Sequence, residues 1–296
     1  MNILIRADSS SHIGLGHIMR DLVLCKQFCD AKITFATQNL DGNINHKILE
    51  AGYGLHTLRS NKKEELLELV KLLHVDMLII DSYDIDYKYE SFIKTNSGVK
   101  ILSFDDTYKK HDCDILLNHN ISADEKKYKD LVPYGCKLRC GAKYTLLRDE
   151  FYEQKEKRKK QGNKKTIFIA MGGVDEKNIS QKIIKAIKEF KNIRVHLVTT
   201  SSNRHLKSLK RYVKNQKFVT LHVDSKNIAK LMRESDFAIV APSVILNEVY
   251  FMKLPFIAIK TASNQDDIYR YLKRKRFLAI DKFYAKKLKQ HVKGIV

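Results

Sequence analysis

The feature that most limits what this chain can fold into is a pattern that occurs twice. Short apolar runs alternate with segments of helical spacing, first from residue 2 to about 117 and again from 166 to about 275. In the first half, strands are expected near 2–6, 32–36, 76–80, 99–104 and 114–117, with helices near 17–29, 42–51, 62–74 and 86–96. In the second, strands are expected near 166–170, 193–198, 218–223, 237–240 and 255–259, with helices near 176–190, 203–215, 225–234, 244–252 and 264–275. Alternation of this kind means βαβ units and parallel sheets. Runs such as MLIID and TIFIAM are apolar throughout, as expected of strands covered by helices on both faces. Between the halves, KEKRKKQGNKK (155–165) has no apolar residue and reads as an exposed linker. The fold class is therefore α/β, with two doubly wound, Rossmann-like domains at 1–153 and 166–296. The linker between them is 154–165, and the strand ends of the two domains are expected to face an inter-domain cleft.

Composition narrows the function. No apolar stretch approaches the roughly 20 residues of a membrane span, and the N-terminus runs into a strand with no signal-peptide core. The five cysteines are scattered. Cys25 and Cys29 share a helix face and Cys136 and Cys140 flank a short strand, but neither pair is a CxxC. No cysteine–histidine cluster has zinc spacing, so the expectation is reduced thiols, a cytoplasmic setting and no metal. The formal charge of +21 invites a nucleic-acid reading. Lysines are instead spread through helices along the whole chain, as in KKEELLELVKLL and YLKRKR, with no nucleic-acid signature between them. The charge is better suited to steering an anionic small molecule.

Chemistry concentrates in NILIRADSSSHIGLGHIMR (2–20). A strand runs into a hydroxyl- and glycine-rich turn, Asp8 to Gly16, and His17 opens a helix. Gly14 and Gly16 let the backbone approach a ligand. A helix start favours the neutral imidazole, the form that accepts a proton. Asp8, in the same loop, either fixes the His17 tautomer or caps the turn. Tyr83, after the strand near 76–80, is a candidate sugar contact. Asp105, Asp106, Asn118, His119 and Asn120 end neighbouring strands and rank lower. Asp84-Ile85-Asp86 is the weak metal candidate.

The second half carries two loops of phosphate type. The strand near 166–170 runs into Gly172-Gly173 before a helix. The strand near 237–240 ends in Ala241-Pro242-Ser243, ahead of a helix with Asn247 and Glu248. Ser243 reads as an N-cap or as a phosphate ligand. The Glu248 carboxylate, amid VILNEVYFM, suits a ribose diol. Arg148 stands at the junction and either meets substrate or pairs with Asp149 or Glu153. Asn264 and Gln265 open a later helix, where their amides suit acetamido groups, phosphate or a cap.

LHVDSKNIAKLMRESDFAIVAPSVILNEVYFMKLPFIAI resembles the donor-nucleotide region of MurG-like glycosyltransferases of the two-Rossmann GT-B architecture. The opening IRADSSSHIGLGHIMRD is more specific and resembles the UDP-sugar hydrolases of pseudaminic acid biosynthesis. The likeness continues through LIIDSYDID, KILSFDD, CDILLNHN, RCGAKYTLLRDEFY, MGGVD and ASNQDD, nearly the whole chain in order, up to about residue 281. It implies release of UDP and a free 2,4-diacetamido-2,4,6-trideoxyhexose, a step that leads to flagellin glycosylation. His17 falls on the family histidine, and Gly172, Gly173, Ser243 and Glu248 on its nucleotide clasp. Val244 departs from the second Ser or Thr of relatives. No cofactor, nucleic acid or membrane span is implied, and a monomer is expected. Two rival readings remain at this point: a glycosyltransferase in which His17 deprotonates an acceptor hydroxyl, and a non-enzymatic basic binding protein.

Overall fold

A computed structural model of the chain describes residues 1–157 and 162–296. It forms two compact units, Met1–Leu146 and Leu147–Val296.

The first unit contains β1 (Asn2–Ala7), α1 (Gly16–Cys25), β2 (Lys32–Gln38), α2 (His46–Glu50), β3 (Gly54–Leu58), α3 (Lys63–Leu72), β4 (Met77–Asp81), α4 (Tyr87–Ser97), β5 (Lys100–Phe104), β6 (Ile115–Asn118) and β7 (Lys137–Cys140). The seven strands are parallel in the order β3-β2-β1-β4-β5-β6-β7. β1 shows why such a strand carries an unbroken apolar run, Ile3 to Ile5. Ile3 and Ile5 pack with Ile18 and Leu24 of α1 on one face, whereas Leu4 packs with Leu66 and Leu69 of α3 on the other. Each such side chain contributes about 1.5–3 kcal/mol by leaving water. The strand order turns back between β1 and β4, and open α/β sheets bind ligands at that switch point. Ala7 and Asp81 are partners there, at the carboxyl ends of the two strands. β3 lay outside the sequence expectation because GLHTL is an edge strand with exposed positions, so it lacks the apolar signature.

The second unit contains α5 (Asp149–Lys155), β8 (Lys165–Ala170), α6 (Ile179–Ile187), β9 (Ile193–Thr199), α7 (Leu206–Lys214), β10 (Val219–Val223), α8 (Ile228–Arg233), β11 (Phe237–Val240), α9 (Val244–Phe251), β12 (Phe256–Ile259), α10 (Asp266–Arg274), β13 (Leu278–Ile280) and α11 (Ala285–Lys293). The sheet is again parallel, in the order β10-β9-β8-β11-β12-β13, and its switch point lies between β8 and β11. The tail belongs to this unit's core: Ile280 of β13 and Leu288 and Val292 of α11 are fully buried in it.

The units meet in sequence at Leu146/Leu147, earlier than charge composition suggested. α5 is the reason. Phe151 is fully buried, Glu150 accepts from the Ala229 N–H of α8 at 3.2 Å, and Gln154 accepts from Arg233 Nε at 2.9 Å. The polar run from 154 therefore starts inside a packed helix, and 158–161 lie outside the described residues. Among the described residues, no helix is long and apolar enough to cross a membrane.

Candidate active site

The loop from β1 to α1 is built by its own hydroxyls. Ser10 Oγ accepts from the N–H groups of His12 (3.2 Å) and Ile13 (2.9 Å), and Ser9 Oγ from Ile44 N–H (3.0 Å). Ser10 and Gly14 close a small bridge, for which Gly14 adopts φ +87°. The turn delivers His17 in the first turn of α1, nearly buried, beside the end of β4.

There the His17 Nδ1 lies 2.6 Å from Asp81 Oδ1. So short a contact with a carboxylate fixes the Nδ1–H tautomer, and Nε2 keeps its lone pair. Arg20, one turn along α1, donates to the same carboxylate through Nε at 2.6 Å and through Nη2. Its Nη2 also passes 3.1 Å from His17 Nδ1, but two donors face each other there and no bond forms. Burial pushes the Asp81 pKa up, yet Arg20 and then His17 outweigh it and hold the group well below the usual carboxylate range. Asp81 is therefore a fixed negative charge that orients the imidazole. Tyr83 stands edge-on to His17, centroids 5.2 Å apart, and donates its hydroxyl to Asp106 at 2.9 Å. His119 lies with Nε2 3.4 Å from Arg20 Nη1, and burial together with the Arg20 charge pushes its pKa down to about 3.

Asp21 completes the cluster. It is fully buried, one turn after His17, and neither carboxyl oxygen has a hydrogen-bond partner among the described residues. Burial, reinforced by the Asp81 charge, pushes its pKa well above the ordinary range.

Several expectations need correction in the first unit. Asp8 does not serve His17: its carboxylate accepts from Gln38 N–H at 2.7 Å and pairs with the buried Arg6 at 2.7 Å. The orienting carboxylate is Asp81, which comes from a strand 64 residues away and so gave no local spacing signal. Of the lower-ranked residues, Asp105 turns inward to Thr107, Tyr108 and Tyr128, and Asn118 donates to Tyr128. Asp86 caps α4 through Tyr89 N–H. Among the described residues, no group of three or more His, Cys, Asp or Glu side chains is arranged to hold a metal ion.

At the second switch point, a pocket of about 350 Å³ is lined by Gly172, Gly173, Ser243, Glu248, Arg148 and Ser225, among others. Gly172 has φ +87°, which disfavours a side chain, and a Cβ on Gly173 would stand 3.0 Å from Thr200 Oγ1. Ser243 precedes α9 but makes no capping bond with its side chain. Leu246 N–H donates to the Ser243 carbonyl at 2.8 Å, so the Ser243 hydroxyl and the N–H groups of Val244 and Ile245 are the donors left to an anion. The start of α6 is not: Asp175 already accepts from Ile179 N–H (2.7 Å) and Ser180 N–H (2.9 Å). One helix start, not two, faces the pocket with open donors. Arg148 pairs with Glu150 at 2.8 Å and approaches Glu248 at 3.7 Å. Burial, opposed by Arg148, raises the Glu248 pKa to about 7.

Three candidates fall outside this pocket. Asn247 is buried on another face of α9, because consecutive helix residues point about 100° apart. Gln265 uses its side-chain oxygen to accept from Thr261 N–H at 2.8 Å, closing its own turn. Asn264 is exposed beside it.

No protein-family model matches the sequence. Among curated proteins, the chain is 44% identical over 278 residues to the UDP-2,4-diacetamido-2,4,6-trideoxy-beta-L-altropyranose hydrolase of Campylobacter jejuni, covering 94% of this chain and 98% of that protein. It is 24% identical over 273 residues to the spore coat polysaccharide biosynthesis protein SpsG of Bacillus subtilis, covering 90% and 79%. Among solved structures, MurG of Acinetobacter baumannii superposes with a TM-score of 0.68 at 12% identity, covering 99% of this chain and 90% of that one. UDP-GlcNAc 2-epimerase of Neisseria meningitidis gives 0.62 at 11% identity, covering 99% and 91%. These two structural likenesses show the fold, the two-domain α/β arrangement of GT-B enzymes. The identity to the Campylobacter enzyme runs the length of both proteins, and the chain belongs to the family of UDP-2,4-diacetamido-2,4,6-trideoxy-beta-L-altropyranose hydrolases.

Proposed function

We propose that the chain hydrolyses UDP-2,4-diacetamido-2,4,6-trideoxy-β-L-altropyranose at its anomeric C–O bond, with inversion, releasing UDP and the free sugar. The observation that carries this reading is the His17–Asp81 pair at 2.6 Å. With Nδ1–H held by a permanent carboxylate, Nε2 is the lone pair that takes a proton from water as it attacks C1. Such a transfer contributes typically ~10²–10⁴-fold in rate. The imidazolium that forms is stabilised by Asp81, as an oriented base requires. UDP leaves as a stabilised anion, so a strong general acid is dispensable. Tyr83, edge-on to His17, is the sugar contact in this reading, and Gly14 and Gly16 give the backbone room.

The two units divide the work. The second unit takes the nucleotide: Gly172, Gly173 and Ser243, with the α9 N–H groups, receive the diphosphate, and the Glu248 carboxylate accepts from the ribose hydroxyls. Arg148 either meets the diphosphate or holds Glu248 until substrate arrives. The five free thiols support a reducing, cytoplasmic setting.

Hydrolysis in ¹⁸O-water tests the proposal. The label is expected in the sugar and not in UDP, the first-formed anomer is expected to be inverted, and turnover is expected to persist in EDTA. Label in the UDP phosphate means attack at phosphorus and overturns the role given to His17. Retention requires a carboxylate nucleophile, which this reading lacks. Loss on chelation, restored by Mg²⁺, returns attention to Asp84 and Asp86.

A further inference from the structure

Sequence spacing pairs Cys25 with Cys29 and Cys136 with Cys140. The fold makes a different pair. Cys113, just before β6, and Cys136, just before β7, place their sulfurs 3.7 Å apart although 23 residues separate them. The parallel register explains it: Ile115 opposes Lys137, and Asp114 O accepts from Lys137 N–H at 2.9 Å, so the residues leading into both strands are held side by side. Cys113 is fully buried and Cys136 is half-buried, so Cys136 is the member of the pair nearer solvent. We propose that Cys113 and Cys136 form a redox-active dithiol that closes reversibly to a disulfide under a hydroperoxide oxidant.

The step balances with hydrogen peroxide as the two-electron acceptor. The Cys136 thiolate attacks one peroxide oxygen, the O–O bond breaks, and Cys136 sulfenic acid and hydroxide result. The Cys113 thiol then gives up its proton and attacks the Cys136 sulfur. The S–S bond forms, the S–O bond breaks, and the expelled hydroxide takes the proton and leaves as water. Two thiols are oxidised and one peroxide becomes two waters. Side-chain rotation has about 1.7 Å to close before the sulfurs reach disulfide distance. The roles follow the environment as well. The bond from Cys113 holds the Cys136 thiol below its ordinary pKa and raises that of Cys113, so Cys136 is the thiolate and Cys113 the resolving thiol. A crosslink here fastens the segment that carries His111 to the foot of β7. The inference does not depend on the reaction proposed above.

Peptide mapping of the full chain, treated with hydrogen peroxide, blocked with an alkylating agent and digested without reductant, tests it. The expected result is a linked peptide joining Cys113 to Cys136, lighter by two hydrogens than the two free peptides, with both residues losing alkylation and regaining it after dithiothreitol. Cys136→Ser is expected to lose the link and leave Cys113 alkylatable; Cys113→Ala is expected to leave Cys136 trapped as sulfenic acid, detectable with dimedone. Full alkylation of both residues under peroxide that oxidises the exposed Cys29 overturns the proposal. So does a link from Cys136 to Cys140 in place of Cys113.

Discussion

The two units share one topology and spend their switch points differently. In the first, the space beyond β1 and β4 holds side-chain charge, Asp81 against Arg20, beside the imidazole of His17, with the buried Asp21 close by. In the second, the space beyond β8 and β11 is lined by two glycines, the hydroxyls of Ser225 and Ser243 and the start of α9, with Asp224, Glu248 and Arg148 at its sides. The first arrangement suits moving a proton, because an oriented base needs a fixed countercharge. The second suits holding a phosphate, because backbone donors need no countercharge and lose little entropy on binding. One fold thus supports two chemistries through what its strand ends present, which is why the fold alone names neither.

The largest effects are expected where side-chain charge is removed from the first switch point. His17→Ala and His17→Asn should lower turnover by about 10²–10⁴-fold or more while leaving UDP affinity near wild type, since the clasp belongs to the other unit. Asp81→Asn should approach the same loss, because the amide frees the imidazole tautomer and leaves Arg20 without its carboxylate. Asp21→Asn, at a carboxyl whose pKa is raised towards the uncharged form by burial and by Asp81, should be nearly silent. Steady-state kinetics beside calorimetry of UDP separates the three. Equal damage from Asp21→Asn and Asp81→Asn would mean that the charge sits on both aspartates.

The same contrast explains what could be read from sequence. Two parallel sheets were legible because strands such as LIID and IFIA are buried on both faces and leave an unbroken apolar run. Edge strand β3 carries no such run, and β13 has only three residues, the first of them exposed; both were missed. His17, Gly172, Gly173 and Ser243 were legible because loop and helix start are adjacent in sequence. Asp81 was not, because it is brought to His17 by strand pairing across 64 residues. The Cys113–Cys136 contact was hidden for the same reason. Gln265 and Asn247 show the converse: polar residues well placed in a string can be occupied by their own turn or buried on another helix face.

A smaller effect should mark the first unit alone. His111, between Glu90 (2.9 Å) and Asp105 (3.9 Å), is buried. Burial opposes its charge, but the two carboxylates outweigh it and raise its pKa from 6.5 to about 9. A raised folded-state pKa contributes stability that is fully present below pH 6.5 and is lost as pH rises through 9. The contribution is on the order of 3 kcal/mol. Hydrogen exchange should therefore accelerate as pH rises from 6.5 to 9 in β5 and β6 more than in β8 and β11, after correction for intrinsic rates. His111→Gln should remove that difference. Equal acceleration in both units would show that His111 is not the group that titrates.

The smallest effect is expected at the second switch point, where the proposed diphosphate donors are mostly backbone N–H groups. Glu248→Ala should weaken UDP by about 1–3 kcal/mol, the cost of losing charge-assisted bonds to two hydroxyls. A UDP-sugar should be weakened alike, with turnover at saturation nearly kept. The pH dependence sharpens the assignment. Burial raises the Glu248 pKa to about 7, so near neutrality part of the free protein holds the acid form. Only the carboxylate accepts from both ribose hydroxyls, so UDP binding should release a proton and strengthen as pH rises through 7. UDP has a phosphate that titrates nearby, at about 6, and contributes its own slope. The comparison with Glu248→Gln subtracts that slope, because the amide cannot ionise. Wild type and Glu248→Gln measured by calorimetry in buffers of different ionisation enthalpy should differ by the proton that Glu248 releases. Identical proton release in the two proteins would assign Glu248 to packing against Arg148 and leave the clasp to Gly172, Gly173, Ser243 and the start of α9.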